Sequence, residues 1–578
     1  MTLHFNRADV RRRTLSVHVF VAIGVSFLLL APMAQAAVPP AAAIASANKQ
    51  ATQAGFDVLE RGGNAFDAAV AISAALSVVE PESSGLGGGA FFLLYRASDG
   101  KSVFVDARER APMAATRDMY LDDKGVAQRT RSINGALAAA IPGLPAGLVL
   151  VAKNYGTLPL DQSLAPAIKL ASDGYIWSRK NASMIGYRTA ELAKSPGAAA
   201  MFLTKGKAPQ AGSRMRNPAI AKVLQRLGRD GNDGFYKGSV AKALVDGVRA
   251  AGGIWSMDDL ASYRAIEREP LKFTYRGDDI ITSPPVSSGG IAVVALFNIL
   301  EYFPLASFDR VQRLHVEIEA MRRVYRDRAI YLGDPDFTKM PLEMLGHPYY
   351  AAGLRASIRL DRATPSAALP GIDAAPSGTD TSHFSIIDAQ GNIAAVTQSV
   401  NLPFGSAFAV ANTGFMLNNE MDDFSTKPGV PNAYGLIGED ANAIAPGKRP
   451  LSSMTPTILL GKTRVAAIGS PGGSRIITMV FQGLSAVLDG ASAAQAVAAP
   501  RVHHQYLPDV VEVEPGALDA SQIQALQDRG FAIKVAESTW GNMQIVVWDK
   551  TANTIEAASD PRWKDVGSGE TRKTAIYQ

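Results

Sequence analysis

Asp380-Thr381-Ser382-His383-Phe384-Ser385 places an internal threonine immediately before a strand-turn-strand pattern. Phe384-Ser385-Ile386-Ile387 reads as a strand, Asp388-Ala389-Gln390-Gly391-Asn392 as a turn, and Ile393-Ala394-Ala395-Val396-Thr397 as the returning strand. A threonine at the head of such a hairpin becomes a nucleophile if the chain is cut just before it. The cut frees an α-amino group on the residue that carries the hydroxyl, pairing base and nucleophile in one amino acid. Upstream, Asp361 to Asp380 is rich in Ala, Pro, Ser and Gly and reads as a loop, where a processing site is accessible.

Composition narrows the chemistry. The 578 residues are 47% hydrophobic and 19% charged, an ordinary globular balance with material for a large core. There is no cysteine, so disulfides, thiolate metal sites and a cysteine nucleophile are excluded. None of the seven histidines stands in His-Glu-x-x-His spacing, and no metal site is expected. A covalent catalyst must then be Ser, Thr, Lys or a carboxylate.

Residues 1–36 read as a cleaved export signal rather than a membrane anchor. Arg7 and Arg11 to Arg13 give a basic start, Val19 to Ala31 an apolar run, and Ala34-Gln35-Ala36 a small-x-small cleavage pattern. Removing this segment takes four of 58 basic and one of 53 acidic residues, leaving 54 against 52, a net charge of +2. That balance makes no case for nucleic acid. Export without cysteine fits a periplasmic or secreted protein, periplasmic above all.

Along the chain, Ala45 to Glu60 reads as a helix stopped at Gly62-Gly63, and Ala65 to Val79 as a second helix. The glycine cluster Ser84 to Gly89 leads into a strand, Ala90 to Tyr95. Its Gly-x-Gly-x-x-Ala spacing precedes a strand instead of joining strand to helix, which is the wrong context for a dinucleotide. Ser46-Ala47-Asn48-Lys49 has the Ser-x-x-Lys form without its partner motifs and reads as a helix start. His503-His504 reads as a packed or solvated pair. Residues 115–370 alternate helical patterns with Pro/Gly turns. Beyond 381, strands at Thr457 to Leu460, Arg464 to Ile468, Val510 to Val513, Phe531 to Val535 and Met543 to Trp548 alternate with helices, which suggests layered α+β packing.

Several segments carry candidate chemistry. Gly469-Ser470-Pro471-Gly472-Gly473-Ser474-Arg475 joins a strand to a helix, so free amides at the helix start can meet an oxyanion. Glu420-Met421-Asp422-Asp423 follows a strand end, Gly414 to Asn419, and suits an ammonium group; its plainer reading is a solvated acidic turn. Arg449 to Met454 offers serine hydroxyls beside a strand. Asp106 to Arg110 offers a guanidinium suited to a carboxylate, or else a surface charge cluster.

In order, these blocks resemble the γ-glutamyltransferases (glutathione hydrolases) of the N-terminal-nucleophile hydrolase superfamily. The matching stretches are Gly62 to Ala69, Ser84 to Gly89, Arg108 to Pro112, Thr381 to Ser385, Leu417 to Phe424, Lys448 to Met454, Gly469 to Arg475 and Ala558 to Arg562. The resemblance implies an α+β fold, a four-layer αββα sandwich built from both chains of a self-cleaved precursor. Cleavage between Asp380 and Thr381 would give a large chain of residues 37–380 and a small chain of 381–578, held together as a heterodimer. Thr381 would then pass the γ-glutamyl group of glutathione and related amides to water or to amino acid and peptide acceptors.

By the same resemblance Gly472 and Gly473 would stabilise the oxyanion, and Ser399 would support the nucleophile where the family usually has threonine. Arg108, Ser452 and Ser453 would hold the substrate α-carboxylate, and Asn401, Glu420 and Asp423 its α-ammonium. Pro428 to Gly447, with Tyr434, resembles the family's lid loop. Ser382 also replaces a more usual threonine, and the tail after Arg562 departs from the usual short ending. No cofactor is implied. The alternatives are a glutaryl-type cephalosporin acylase of the same fold, whose substrate has no α-amine for Glu420 and Asp423, and a catalytically silent exported binding protein.

Overall fold

The structure, a computed structural model, describes residues 38–369 and 381–573. The export signal and Asp380 lie outside the described residues. The strands of the two main sheets are β1 (Ala42–Ser46), β2 (Gly89–Arg96), β3 (Lys101–Ala107), β4 (Ile266–Arg268), β5 (Leu271–Tyr275), β6 (Asp278–Thr282) and β7 (Ser382–Ile387). They continue with β8 (Ile393–Ser399), β9 (Thr457–Leu460), β10 (Arg464–Gly469), β11 (Gln544–Asp549), β12 (Thr554–Ser559) and β13 (Ser568–Arg572). One sheet has the order β13-β1-β7-β8-β2-β3-β4, the other β12-β11-β10-β9-β6-β5, and every neighbouring pair is antiparallel.

Strand periodicity explains the layering. In β2, Phe92 and Leu94 point to one face and Phe91 and Leu93 to the other, and all four are buried. Phe92 and Leu94 pack with helices α1 (Lys49–Leu59), α2 (Ala65–Val79), α3 (Leu144–Tyr155) and α4 (Leu160–Asp173). Phe91 and Leu93 join Ala43, Ala45 and Ala395 against Ala466, Ile468 and Ile545 of the second sheet. Helices α5 (Gly289–Leu300), α6 (Arg310–Tyr331) and α7 (Ile476–Leu488) complete that second core. The result is helix, sheet, sheet, helix, the expected sandwich.

Helix α2 is apolar all round because all 15 of its residues are buried. It starts where Asn64 caps the Phe66 and Asp67 amides while Asp67 returns a bond to the Asn64 amide. Helix α1 starts later than expected. Asn48 caps it, and Ala45 and Ser46 belong to β1, whose small side chains fit between a helix and the second sheet. Other expectations are also corrected. The 115–370 region contributes β4, β5 and β6 as well as helices; in the two edge strands, β4 and β5, exposed or half-buried positions weaken the apolar run. Gly414 to Asn419 forms an isolated bridge, Gly87 to Leu417, instead of a strand. The tail after Arg562 forms β13, which pairs with β1 from Ala42↔Arg572 to Ser46↔Ser568.

Candidate active site

Thr381 sits at the head of β7, on the face turned to the second sheet, and is buried. Register places Thr397 opposite His383 and Gln398 opposite Ser382, so the end of β8 brings Ser399 beside Thr381. The two hydroxyls are 3.3 Å apart, and Ser399 Oγ also accepts the Asn401 amide at 2.7 Å. Gly88 lets this strand end be approached closely, since a Cβ there would stand 2.0 Å from the Ser399 carbonyl oxygen.

His383 and Ser382 anchor β7 from its two faces. The His383 ring meets Thr397 Oγ1 at 2.8 Å and Ser385 Oγ at 3.1 Å, and lies so close to Gly469 that a Cβ there would fall 2.1 Å from it. Burial pushes its pKa down to about 3, so the imidazole is neutral and its contacts are structural. On the opposite face Ser382 Oγ donates to Glu80 Oε2 at 2.8 Å, and Lys180, also buried, pairs with Glu80 at 3.1 Å and Glu82 at 3.7 Å.

Thr381, Ser399, Asn401, Arg108, Glu420, Asp423, Ser452, Ser453, Tyr434 and Gly473 line one cleft of about 310 Å³. Gly472 stands immediately before Gly473 and is not part of that lining. Both glycines have positive φ, 142° and 57°, and among the described residues neither amide has a hydrogen-bond acceptor. They are the free donors expected of this turn. Tyr434 lies over Gly473, where a Cβ would be 2.3 Å from its ring, and its hydroxyl donates to the Asn401 carbonyl at 2.8 Å. Tyr434 thus touches both the Gly472-Gly473 turn and the strand end beyond Thr381.

The charged residues pair with one another. Arg108 Nη1 lies 2.7 Å from Glu420 Oε2 and Nη2 lies 2.6 Å from Asp423 Oδ2, with Arg108 and Glu420 each only 1% exposed. The acidic turn is therefore buried, not solvated, and Arg108 is no surface group. Burial pushes the Glu420 carboxyl well above its usual range, and the nearby Glu109 and Asp423 carboxyls push it the same way. Neither Glu420 oxygen accepts a hydrogen bond among the described residues. Asp422 is pushed up to about 6 by burial while Ser132 Oγ and the Ala433 amide donate to it, tying the turn to the 428–447 loop.

Two further site groups escaped the sequence reading. Glu109, completely buried, is pushed up to about 7 by burial although Arg108 Nη1 lies 3.3 Å away. The Arg108-Glu109-Arg110 run had marked it, but no role was assigned. Arg328 also lines the cleft, and among the four arginines between 322 and 328 the sequence gives no sign of which one does so. His503 and His504 are buried with pKa values pushed by burial down to about 3 and about 4, so they are a packed pair rather than ligands.

Comparison with known proteins identifies the family of the chain. The gamma-glutamyltranspeptidase family pattern matches residues 51–569. The glutathione hydrolase proenzyme of Escherichia coli (strain K12) is 42% identical over 529 residues, 90% of each chain. Among solved structures, the cephalosporin acylase from Bacillus halodurans superposes with a TM-score of 0.82 at 29% identity, over 93% of this chain and 97% of its own. The Helicobacter pylori gamma-glutamyltranspeptidase chain gives 0.55 at 37% identity, over 56% of this chain and 93% of its own. The paired hydroxyls, the free glycine amides and the buried charge cluster stand on a chain that matches nearly end to end, and it belongs to the gamma-glutamyltranspeptidase family.

Proposed function

We propose that the chain is exported, most simply to the periplasm, loses residues 1–36, and cuts itself before Thr381 into chains of 37–380 and 381–578. Thr381 Oγ1 attacks the Asp380 carbonyl carbon and the peptide nitrogen leaves, giving an ester. Water opens it, leaving a carboxylate on Asp380 and a free α-amine on Thr381. That amine, with a reference pKa of about 7.7–8.0, is a base suited to neutral pH.

In the mature enzyme the amine takes the Thr381 hydroxyl proton as Oγ1 attacks the γ-glutamyl amide carbon. The Gly472 and Gly473 amides stabilise the tetrahedral oxyanion. The leaving amine accepts the proton, and a γ-glutamyl ester remains on Thr381. Water then releases glutamate, or an amino acid or peptide amine takes the acyl group. Glutathione and other γ-glutamyl amides are the donors. Their α-ammonium goes to Asn401, Glu420 and Asp423, and their α-carboxylate to the Arg108, Ser452 and Ser453 side of the cleft.

The observation that carries this reading is the buried Arg108–Glu420–Asp423 cluster in one cleft with the Thr381–Ser399 hydroxyl pair. Three carboxylates, Glu109, Glu420 and Asp423, share the one guanidinium of Arg108, which favours a cationic ligand there, and a glutaryl side chain has no ammonium to offer. That favours a γ-glutamyl donor over the acylase reading. The test is intact mass under denaturing conditions of wild type and Thr381→Ala, followed by turnover of L-γ-glutamyl-4-nitroanilide. Two wild-type chains, one beginning at Thr381, with an uncut variant and wild-type turnover, are expected. An uncut wild type overturns the proposal.

A further inference from the structure

Counting donors separates the two guanidiniums of the cleft. An arginine has five N–H groups. Arg108 is engaged on every nitrogen: Nε donates to the Pro450 carbonyl at 3.1 Å, Nη1 donates to Glu109 and forms an ion pair with Glu420, and Nη2 donates to Asp423 and, at 3.5 Å, to the Leu451 carbonyl. Arg328 is different. Its Nε donates to Ser288 Oγ at 3.0 Å and its Nη2 to Ser453 Oγ at 3.3 Å, and among the described residues Nη1 donates to nothing and no carboxylate pairs with it. Yet its side chain is buried, with 5% exposure, and it lines the same cleft as Thr381.

A buried cation without a counter-ion is a poor structural element, because desolvation is uncompensated. Burial pushes its pKa down only to about 10, so it remains charged at neutral pH. The cleft thus holds three carboxylates, Glu109, Glu420 and Asp423, paired with Arg108, and a second cation, Arg328, joined to Ser453. An α-amino acid head group carries one charge of each sign, an ammonium for the carboxylates and a carboxylate for the second cation.

We propose that Arg328, alongside Arg108 and with Ser453 Oγ, directly binds the α-carboxylate of the γ-glutamyl donor and so makes the enzyme specific for donors that carry one. This rests on the γ-glutamyl function proposed above. Arg328 Nη1 has both N–H groups available, and Ser288 and Ser453 hold the guanidinium plane from its other edges. Ser288 Oγ in turn donates to the Ser452 carbonyl at 2.7 Å, which fixes the serine pair in the same frame.

The test compares two donors that differ only in this group, L-γ-glutamyl-4-nitroanilide and 4-aminobutanoyl-4-nitroanilide, on wild type, Arg328→Gln and Arg328→Lys. Arg328→Gln is expected to lower kcat/KM for the γ-glutamyl anilide by about 100-fold, chiefly through KM, and for the decarboxylated donor by less than about threefold. Arg328→Lys, which keeps the charge without the fork, should lose about tenfold on the γ-glutamyl anilide alone. Equal losses on both donors would mean that Arg328 only shapes the site, and would overturn the proposal. A loss seen with glutathione but not with the anilide would place a leaving-group carboxylate there instead, and would overturn it too.

Appearance of the two processed chains reports folding of each variant, and Arg328→Lys decides if Arg328→Gln does not fold. Titration calorimetry with L-glutamate and 4-aminobutanoate reads the same contact without turnover. Wild type should prefer glutamate and Arg328→Lys should narrow the preference, whereas an unchanged preference overturns the assignment. A wild type that turns over neither anilide contradicts the γ-glutamyl function, and the calorimetric comparison still decides on Arg328.

Discussion

Ser399 Oγ stands 3.3 Å from Thr381 Oγ1 while accepting the Asn401 amide at 2.7 Å, which leaves its own proton free to point at the threonine oxygen. Ser399→Ala is expected to lower kcat for γ-glutamyl-4-nitroanilide by about 10- to 100-fold with KM nearly unchanged, since the lost bond acts on the nucleophile. Ser399→Thr keeps the hydroxyl and should stay within about threefold of wild type. Steady-state kinetics of the two variants check both statements.

Tyr434 ties the 428–447 loop to the strand end through its 2.8 Å bond to the Asn401 carbonyl. Tyr434→Phe removes one neutral hydrogen bond, about 1 kcal/mol, and should cost roughly fivefold in kcat/KM. Gly473→Ala puts a methyl group where the Tyr434 ring lies and forces a positive φ on alanine. It is expected to displace the lid and lower kcat by about 100-fold, the scale of losing an oxyanion donor. Limited proteolysis within 428–447 reads the lid, and kinetics read the turnover.

Glu109 sets a pH window. Burial raises its pKa from 4.5 to about 7, so its protonated form is favoured by folding. That contribution to stability is full below the ordinary carboxylate value and is lost as pH rises through about 7. Ionisation over the same window adds negative charge beside Arg108 and Glu420, so an ammonium-bearing donor should bind more tightly. KM for γ-glutamyl-4-nitroanilide is expected to fall between about pH 6 and 8 in wild type, and this fall should vanish in Glu109→Gln. The pH profile of KM, measured apart from kcat, tests it.

Lys180 neutralises Glu80 and Glu82 beneath the nucleophile strand. Lys180→Met should destabilise the protein by about 3–5 kcal/mol, because two buried carboxylates lose their cation. Adding Glu80→Gln and Glu82→Gln should restore much of that stability. The combination should still slow chain cleavage, since Ser382 loses its charged acceptor. Urea midpoints and the time course of processing, followed by mass, give the two readouts.

Much of this was legible in the sequence because the responsible features are local. The hairpin of β7 and β8 showed as two short, largely apolar runs around an Asp-x-x-Gly-Asn turn, and α2 as an alanine-rich run behind Asn64. The cleft residues were found through short motifs whose order matched a family. What remained hidden depends on distant partners. Ala45 belongs to a strand only because β7 and β13 flank it. Arg328 is one arginine among six on a long helix, and only packing selects it. The mutual pairing of Arg108 with Glu420 and Asp423 joins residues more than 300 positions apart, and each alone reads as an exposed charge.

The strand order has a consequence for what a cut before Thr381 produces. Strand β1, from the N-terminal piece, lies between β13 and β7, both from the C-terminal piece, and β8 then adjoins β2. In the other sheet β9 adjoins β6. The two products are thus interlocked along four seams of backbone hydrogen bonds, and neither owns either of the two main sheets. To part them is to unfold them, so dilution should not separate them, a tag on either should retrieve both, and a weakness in one chain should be shared by the other. Breaking one peptide bond changes the chemistry of a single amine while the molecule keeps the mechanical unity of an uncut chain.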